Sequence, residues 1–222
     1  MPTYKILKNV KIGKNAIIRD FSIIGEPPRG KKEGELKLEI GNNAIIGPLN
    51  VVYAGSKIGD NFKTGSHVYI RECNIIGNNV SIGSGAKLEN GHRIGNDVFI
   101  HTAAILGEGS IIEDNTWIGP DVIFLNDLHP PCQRYRKGKC VGAPVIKRNA
   151  KIGARVIIGP GVVIGENSLI GAGSFVLESI PKNSVAIGNP AKVVKKIQDL
   201  RCISRHFKRP YEWEKKKDEI KR

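Results

Sequence analysis

From Ile40 to Phe124 every sixth residue is apolar, with Thr64 the one exception: Ile40, Ile46, Val52, Ile58, Ile70, Ile76, Ile82, Leu88, Ile94, Ile100, Leu106, Ile112, Ile118. The same beat runs in shifted phase as Ile6, Ile12, Ile18 and Ile24 before this block, and as Ile146, Ile152, Ile158, Ile164, Ile170 and Val176 after it. A period of six matches neither the 3.6 of a helix nor the 2 of a hairpin strand. It fits short strands separated by tight corners, each aliphatic pointing inward and each coil stacking on the last. Residues two before the beat, such as Ala44, Ser56, Val80, Ala86, Ala104 and Ser110, are small or slim and fill the remaining interior. Glycines that follow the beat, among them Gly41, Gly59, Gly77 and Gly165, with Asn or Asp close behind, are expected to supply the positive φ of the corners. An aromatic share of 6% and a single Met suit a narrow core of stacked Ile and Val.

The fold class read from this pattern is an all-β solenoid. One continuous repeat in 222 residues argues for one body, residues 1–188, with projecting loops at about 26–38 and 126–144. Residues 189–222 form a separate C-terminal segment with a basic tail. No signal-peptide-like run opens the chain and no 18-residue apolar stretch could span a bilayer, so a soluble, cytoplasmic protein is expected. Four scattered cysteines, Cys73, Cys132, Cys140 and Cys202, fit a reducing compartment. Cys132 and Cys140 share a loop with His129, but a zinc site needs about four ligands at recognisable spacing, so free thiols and no metal are expected.

The net charge of +14 is uneven, with bases crowded into the second insertion (Arg134, Arg136, Lys137, Lys139, Lys147, Arg148) and the tail (Lys192, Lys195, Lys196, Arg201, Arg205, Lys208, Arg209, Lys215, Lys216, Lys217). Such patches attract phosphates. With no recognition helix or interleaved aromatic surface, nucleic acid is not the expected partner; phosphorylated small molecules fit better. The tail offers charge for a membrane surface but no strong apolar moment.

A regular solenoid can be specific only where it departs from its pattern, so sites are sought at the breaks. The first, EPPRGKKEGELK from Glu26 to Lys37, reads as an exposed loop: a solvated bulge, or a cover for an acceptor with Arg29, Lys31 and Lys32 as phosphate contacts. The second begins past Phe124 and ends at Val145. Stepping back one 18-residue coil from Asn126 gives Glu108, and another step gives Asn90, so these polar side chains share one edge beneath the loop. His129, projected over a carboxylate and an amide, has the side chain whose ordinary pKa near 6.5 suits proton removal at neutral pH. After Val176 the beat fails. Asn189–Pro190 reads as an N-cap and first helical residue, and Val193, Ile197 and Leu200 recur at helical spacing, predicting a short C-terminal α-helix that caps the open end.

With these features together, about residues 1–200 resemble the left-handed parallel β-helix acyltransferases, the hexapeptide-repeat family. The most specific stretches are DNTWIGPDVIFLNDLHPP and APVIKRNAKIGARVIIGPGVVIGENSLIGAGSFVLESIPKNSVAIGNPAKVV, which are similar to the galactoside, maltose and xenobiotic acetyltransferase branch. The resemblance implies the left hand, against the usual right-handed crossover rule, and a homotrimer. It also implies acetyl-CoA as co-substrate, a sugar or nucleotide-linked sugar as acceptor, and His129, just before Pro130, as general base. Acyl-CoA would lie between two subunits along the IGA turns, Gly153–Ala154 and Gly171–Ala172. Lys192, then Lys195 or Lys196, would meet its nucleotide end. The chain departs from that branch at His101, where an asparagine near the acceptor is usual, and at Lys151, where an aromatic commonly stands; Trp117 comes one repeat earlier. Asn126–Asp127 is similar to a second branch, the N-acyltransferases of nucleotide-linked amino sugars.

Several roles stay open on the residues alone. His101 is an acceptor contact or a corner residue. Asp127 orients His129, binds the acceptor or caps its own turn; Glu108 does the same or binds water. Trp117 is a subunit contact or a stacking platform. Three function classes follow: a CoA-dependent O- or N-acetyltransferase, a metal-dependent carbonic anhydrase of the γ type on the same fold, which needs three histidine ligands at a subunit interface, and a non-catalytic trimeric scaffold.

Overall fold

The computed structural model describes residues 3–130, 142–202 and 209–211. The bases Arg134, Arg136, Lys137, Lys139, Arg205, Lys208, Lys215, Lys216 and Lys217, with Cys132 and Cys140, lie outside the described residues. The six-residue beat builds a parallel β-solenoid of the left-handed β-helix class, about ten coils long. Its strands, most of them two residues, stack into three sheets of nine, eight and ten strands among the described residues. Each coil contributes one strand to each sheet, here called faces 1, 2 and 3 in chain order. Away from the two insertions and the C-terminal strands, successive strands on a face are parallel and separated by 18 residues, as in Tyr69 on Lys87 and Ile75 on Arg93.

The beat residues are the core. Ile46, Val52, Ile70, Leu88, Ile100, Leu106, Ile118, Ile146, Ile158 and Ile170 are fully enclosed. Each meets the same position one coil away, so the interior is a set of aliphatic columns with no layer of large rings; Phe62 and Phe124 are the bulkiest side chains inside. At roughly 25 cal/mol per Å² of apolar surface removed from water, such columns supply the main stabilisation of a fold whose coils touch only their neighbours.

The corners work differently from the sequence expectation. At the corner between faces 2 and 3 the positive φ falls on Asn43 (57°), Asn61 (58°), Asn79 (58°), Asp97 (56°) and Asn115 (55°), not on the glycines. Asn and Asp tolerate the left-handed region because their short polar side chains bond locally. These side chains also climb the solenoid: Asn61 Nδ2 donates to Asn79 Oδ1 at 2.9 Å, and Asn79 Nδ2 to Asp97 Oδ1 at 3.1 Å. The glycine after the beat serves close approach instead. A Cβ at Gly77 would stand 2.7 Å from the backbone of Gly95 in the next coil, and one at Gly153 would stand 2.5 Å from Ala172 N.

Inside the corner between faces 1 and 2 runs a second ladder. Ser56 Oγ accepts from Asn74 N at 3.0 Å, Asn74 Oδ1 from His92 N at 2.7 Å, and His92 Nδ1 from Ser110 N at 3.1 Å. Each buried polar side chain satisfies the backbone of the coil that follows, which is why polar residues are tolerated in the core.

Among the described residues the predicted C-terminal helix is not formed. Ser184–Gly188 extends face 3 and Ala191–Lys196 returns antiparallel against it, followed by one 3₁₀ turn at Ile197–Asp199. The last coil offers an open row of backbone donors and acceptors that a strand can use and a helix cannot. The β-branched pair Val193–Val194 suits the strand, and Gly188, at φ 109°, makes the reversal with Pro190. The segment from 189 to 196 is thus continuous with the solenoid's sheet.

Candidate active site

Both insertions leave the solenoid at the same corner, between faces 1 and 2, five coils apart; at about 4.8 Å per coil their roots are separated by roughly 24 Å. They behave differently. The loop at 26–37 folds back on the first coil: Lys8 N donates to Glu33 Oε1 at 3.1 Å, and Asn9 Nδ2 to Gly34 O at 3.1 Å. Pro28 is buried and Leu36 packs beside Gly55. It covers the corner of its own chain, while Arg29, Lys31 and Lys32 remain exposed.

The root of the second loop is where Asn126, Asp127 and His129 stand. The register Leu88 on Leu106 on Phe124 puts Asn90, Glu108 and Asn126 in one column of the corner. Asn126 folds down onto the preceding coil, where a Cβ at Gly107 would meet its Oδ1 at 2.9 Å. Its carbonyl accepts from Gly142 N at 2.9 Å, which closes the base of the loop. Asn90 O accepts from Gly109 N at 3.0 Å, and its Oδ1 is buried without a partner. Asp127 is half-buried; Leu128, His129 and Pro130 are exposed. Three residues past the corner column, His129 thus stands clear of the coil, and its ring forms no hydrogen bond among the described residues.

The other histidines are occupied differently. His67 is an exposed corner residue at φ 57°. His101 sits at the corner between faces 3 and 1, in the column otherwise held by Gly65, Gly83, Gly119, Gly153 and Gly171. Its Nδ1 accepts from Thr102 N at 2.8 Å, and its ring stands edge-on to Phe99 (5.4 Å) and Trp117 (6.1 Å). It is far in topology from the loop root, on the opposite edge of face 1. His92 is wholly buried in the inner ladder, with Nε2 unpartnered, and burial pushes its imidazole down to about 4. Accepting from Ser110 N requires a bare Nδ1, so the ring is neutral in the fold.

This has a consequence for acid stability. A histidine whose folded pKa lies below its unfolded value near 6.5 binds fewer protons in the native state, so its contribution is present at neutral pH and lost as pH falls from about 6.5 to about 4. The change is on the order of 3 kcal/mol at most. Thermal melting of wild type and His92→Asn at pH 7 and pH 5 checks it: the wild type should lose more stability on acidification than the variant. Equal losses would assign the acid sensitivity elsewhere.

The corner between faces 3 and 1 carries the IGA turns. Gly153–Ala154 and Gly171–Ala172 stack directly, Gly173 N donating to Ala154 O at 2.8 Å. On the neighbouring corner the equivalent N–H groups are taken up by side chains of the next coil, as Asn78 N is by Asn96 Oδ1 at 2.9 Å. Alanine has no such acceptor, and among the described residues the N–H groups of Ala154 and Ala172 form no hydrogen bond. Above them, Lys192 Nζ lies 3.4 Å from Glu178, with both side chains exposed. Lys196 pairs with Ser184 at the outer edge of face 3. No group of three or more His, Cys, Asp or Glu among the described residues could hold a metal ion, and no helix among them is long and apolar enough to cross a membrane. Cys73 is a free, exposed thiol.

Sequence reasoning missed the aromatic grouping on face 3. Phe99 and Trp117 lie 18 residues apart at the same outward strand position, a spacing that could have paired them. Nothing local pointed to Tyr211, whose ring lies beside Lys151 on that face.

Comparison with known proteins agrees with this architecture. The family model for bacterial transferase hexapeptide (six repeats) matches residues 143–178. Galactoside O-acetyltransferase of Escherichia coli is 46% identical over 90 residues, which are 40% of this chain and 44% of that protein. A putative acetyltransferase of Schizosaccharomyces pombe is 43% identical over 90 residues, with the same shares. The chain spans about half the length of the curated relatives it matches. Among solved structures, UDP-N-acetylglucosamine acyltransferase from Campylobacter jejuni superposes with a TM-score of 0.71 at 17% identity, covering 93% of this chain and 77% of that one. At that identity the likeness is one of fold. Residues 143–178 thus carry the bacterial transferase hexapeptide repeat, within a solenoid whose fold is that of the left-handed β-helix acyltransferases.

Proposed function

We propose that the protein is an acetyltransferase that moves the acetyl group of acetyl-CoA to a hydroxyl or amino group of a sugar or nucleotide-linked sugar. The observation that carries the reading is His129, exposed at the root of the loop that leaves the Asn90, Glu108, Asn126 column. The acetyltransferase names of its relatives support it. Acetyl-CoA would lie along the IGA edge, where the N–H groups of Ala154 and Ala172 can donate to its amide-bearing arm. Its phosphates would face Lys192 and Lys196. The acceptor would sit by Asn126, Asp127 and Glu108, with His101 reaching it from the opposite corner of a neighbouring subunit.

The chemistry is direct transfer. Positioning the thioester beside the acceptor replaces a bimolecular encounter by an oriented one. His129 takes the proton as the acceptor oxygen or nitrogen attacks the thioester carbonyl; a backbone N–H holds the oxyanion. The C–S bond then breaks and the imidazolium returns the proton to the thiolate of CoA. Thiol release from acetyl-CoA, measured against free sugars, nucleotide-linked amino sugars and simple amines, tests this; release with none of them, and no acetyl-CoA binding by calorimetry, would sink it.

The edges assigned to donor and acceptor flank face 1, so one chain cannot close the site and a homotrimer is part of the proposal. Face 1 suits the contact: Ile105, Ile123, Ile157 and Phe175 stack in register on its outer side as an apolar stripe. Ile157→Glu should convert a trimer in sedimentation into monomer and abolish turnover with His129 intact. A monomeric, fully active variant would remove the shared site.

A further inference from the structure

Lys151 is out of keeping with its place. It occupies an outward strand position on face 3, in register between Trp117 and Leu169, yet is only 8% exposed, whereas Lys63 on the same face and Lys87 on face 1 are exposed. The C-terminal segment covers it. Lys151 Nζ lies 4.5 Å from the ring centroid of Tyr211 and donates to Asn149 O at 3.0 Å. An ammonium over a ring face is held by the ring's quadrupole, and more strongly as it is desolvated. Tyr211 itself is half-buried.

What surrounds this ring gives it meaning. Two and three residues beyond Lys151, about 7–10 Å along the chain, lie Gly153 and Ala154 with the unclaimed N–H of the IGA edge. Below stands Trp117. Arg209, exposed, precedes Tyr211 by two residues, and Lys192 and Lys196 stand on the strand that ends the same face. The glycine edge offers only backbone and can recognise an amide arm but not a heterocycle. Tyr211 adds a π-face, and the cations beside it suit phosphates.

We propose that Tyr211, anchored by Lys151, forms one wall of the acetyl-CoA groove and stacks on the adenine, with Arg209 meeting the adjoining phosphates. This rests on the acetyl-CoA reading above. Lys151 is the positioning residue, too enclosed to reach a phosphate itself. Stacking of a base on an aromatic side chain accounts for roughly a tenfold change in affinity, with a range of about 5- to 150-fold.

Calorimetry with acetyl-CoA on wild type, Tyr211→Ala, Tyr211→Phe and Lys151→Met, each checked for an unchanged melting transition, tests it, together with displacement by adenosine 3′,5′-bisphosphate. Tyr211→Ala and Lys151→Met should each weaken acetyl-CoA about tenfold and weaken the bisphosphate equally, while Tyr211→Phe keeps both. Wild-type affinity in Tyr211→Ala overturns the proposal, as does a loss for acetyl-CoA unmatched for the bisphosphate, since the ring would then act away from the base. No binding of acetyl-CoA by wild type brings down the underlying reading and this one with it.

Discussion

Replacing His129 by alanine is expected to leave the solenoid folded and to lower turnover with acetyl-CoA by at least about a hundredfold, the lower end of what a positioned general base contributes. The two halves of that expectation have separate grounds. His129 is exposed and forms no hydrogen bond among the described residues, so its removal takes away no packing and leaves no buried group unsatisfied. Among the described residues, its place past the corner column is the one point where an imidazole stands free at a break in the repeat. Melting temperature and kcat, measured on the same preparation, separate the two. A folded variant with kcat near wild type would remove His129 from the chemistry, and a rise in acceptor KM with kcat intact would make it a binding residue. Partial recovery of turnover by added imidazole would favour the proton-transfer role over a merely structural one.

The loop root was legible in the sequence because it rests on arithmetic. Once the coil is 18 residues, Asn90, Glu108 and Asn126 must share an edge, and the register Leu88, Leu106, Phe124 keeps them there. The core was legible for the same reason, since every inward position repeats. Corner chemistry was half legible: Gly and Asn were seen together, but which of them carries the positive φ depends on the backbone of the next coil pressing against Gly77 or Gly153, and spacing along one chain does not reveal that. At the C-terminus, helical spacing in Val193, Ile197 and Leu200 competed with an open sheet edge, and the edge won because its unpaired backbone groups are a tertiary feature. Lys151 and Tyr211 meet across 60 positions of sequence, with no period to connect them.

Phe124→Ala is expected to cost about 3–5 kcal/mol and to lower kcat as well, which sets it apart from other core truncations. Its ring is among the largest fully enclosed side chains, stacked between Leu106 and Ile158 on the inner side of face 1. It is also the last beat residue before the insertion, two positions from Asn126 and five from His129. Its own carbonyl accepts from Gly107 N at 3.1 Å, and Leu125 N donates to Ile158 O at 2.9 Å, so the backbone that carries the ring is held between the two coils that flank the loop root. In a solenoid each coil feels chiefly its neighbours, and a cavity loosens the structure locally rather than throughout. Leu88→Ala, two coils away in the same column, provides the contrast. It should destabilise by about 2–5 kcal/mol yet leave kcat unchanged at temperatures where the protein is folded. Urea unfolding and kcat at a temperature well below both transitions measure the difference. If the two variants lose stability and kcat in the same proportion, the core beneath the loop does not position His129, and the geometry of the site must be held by the loop itself.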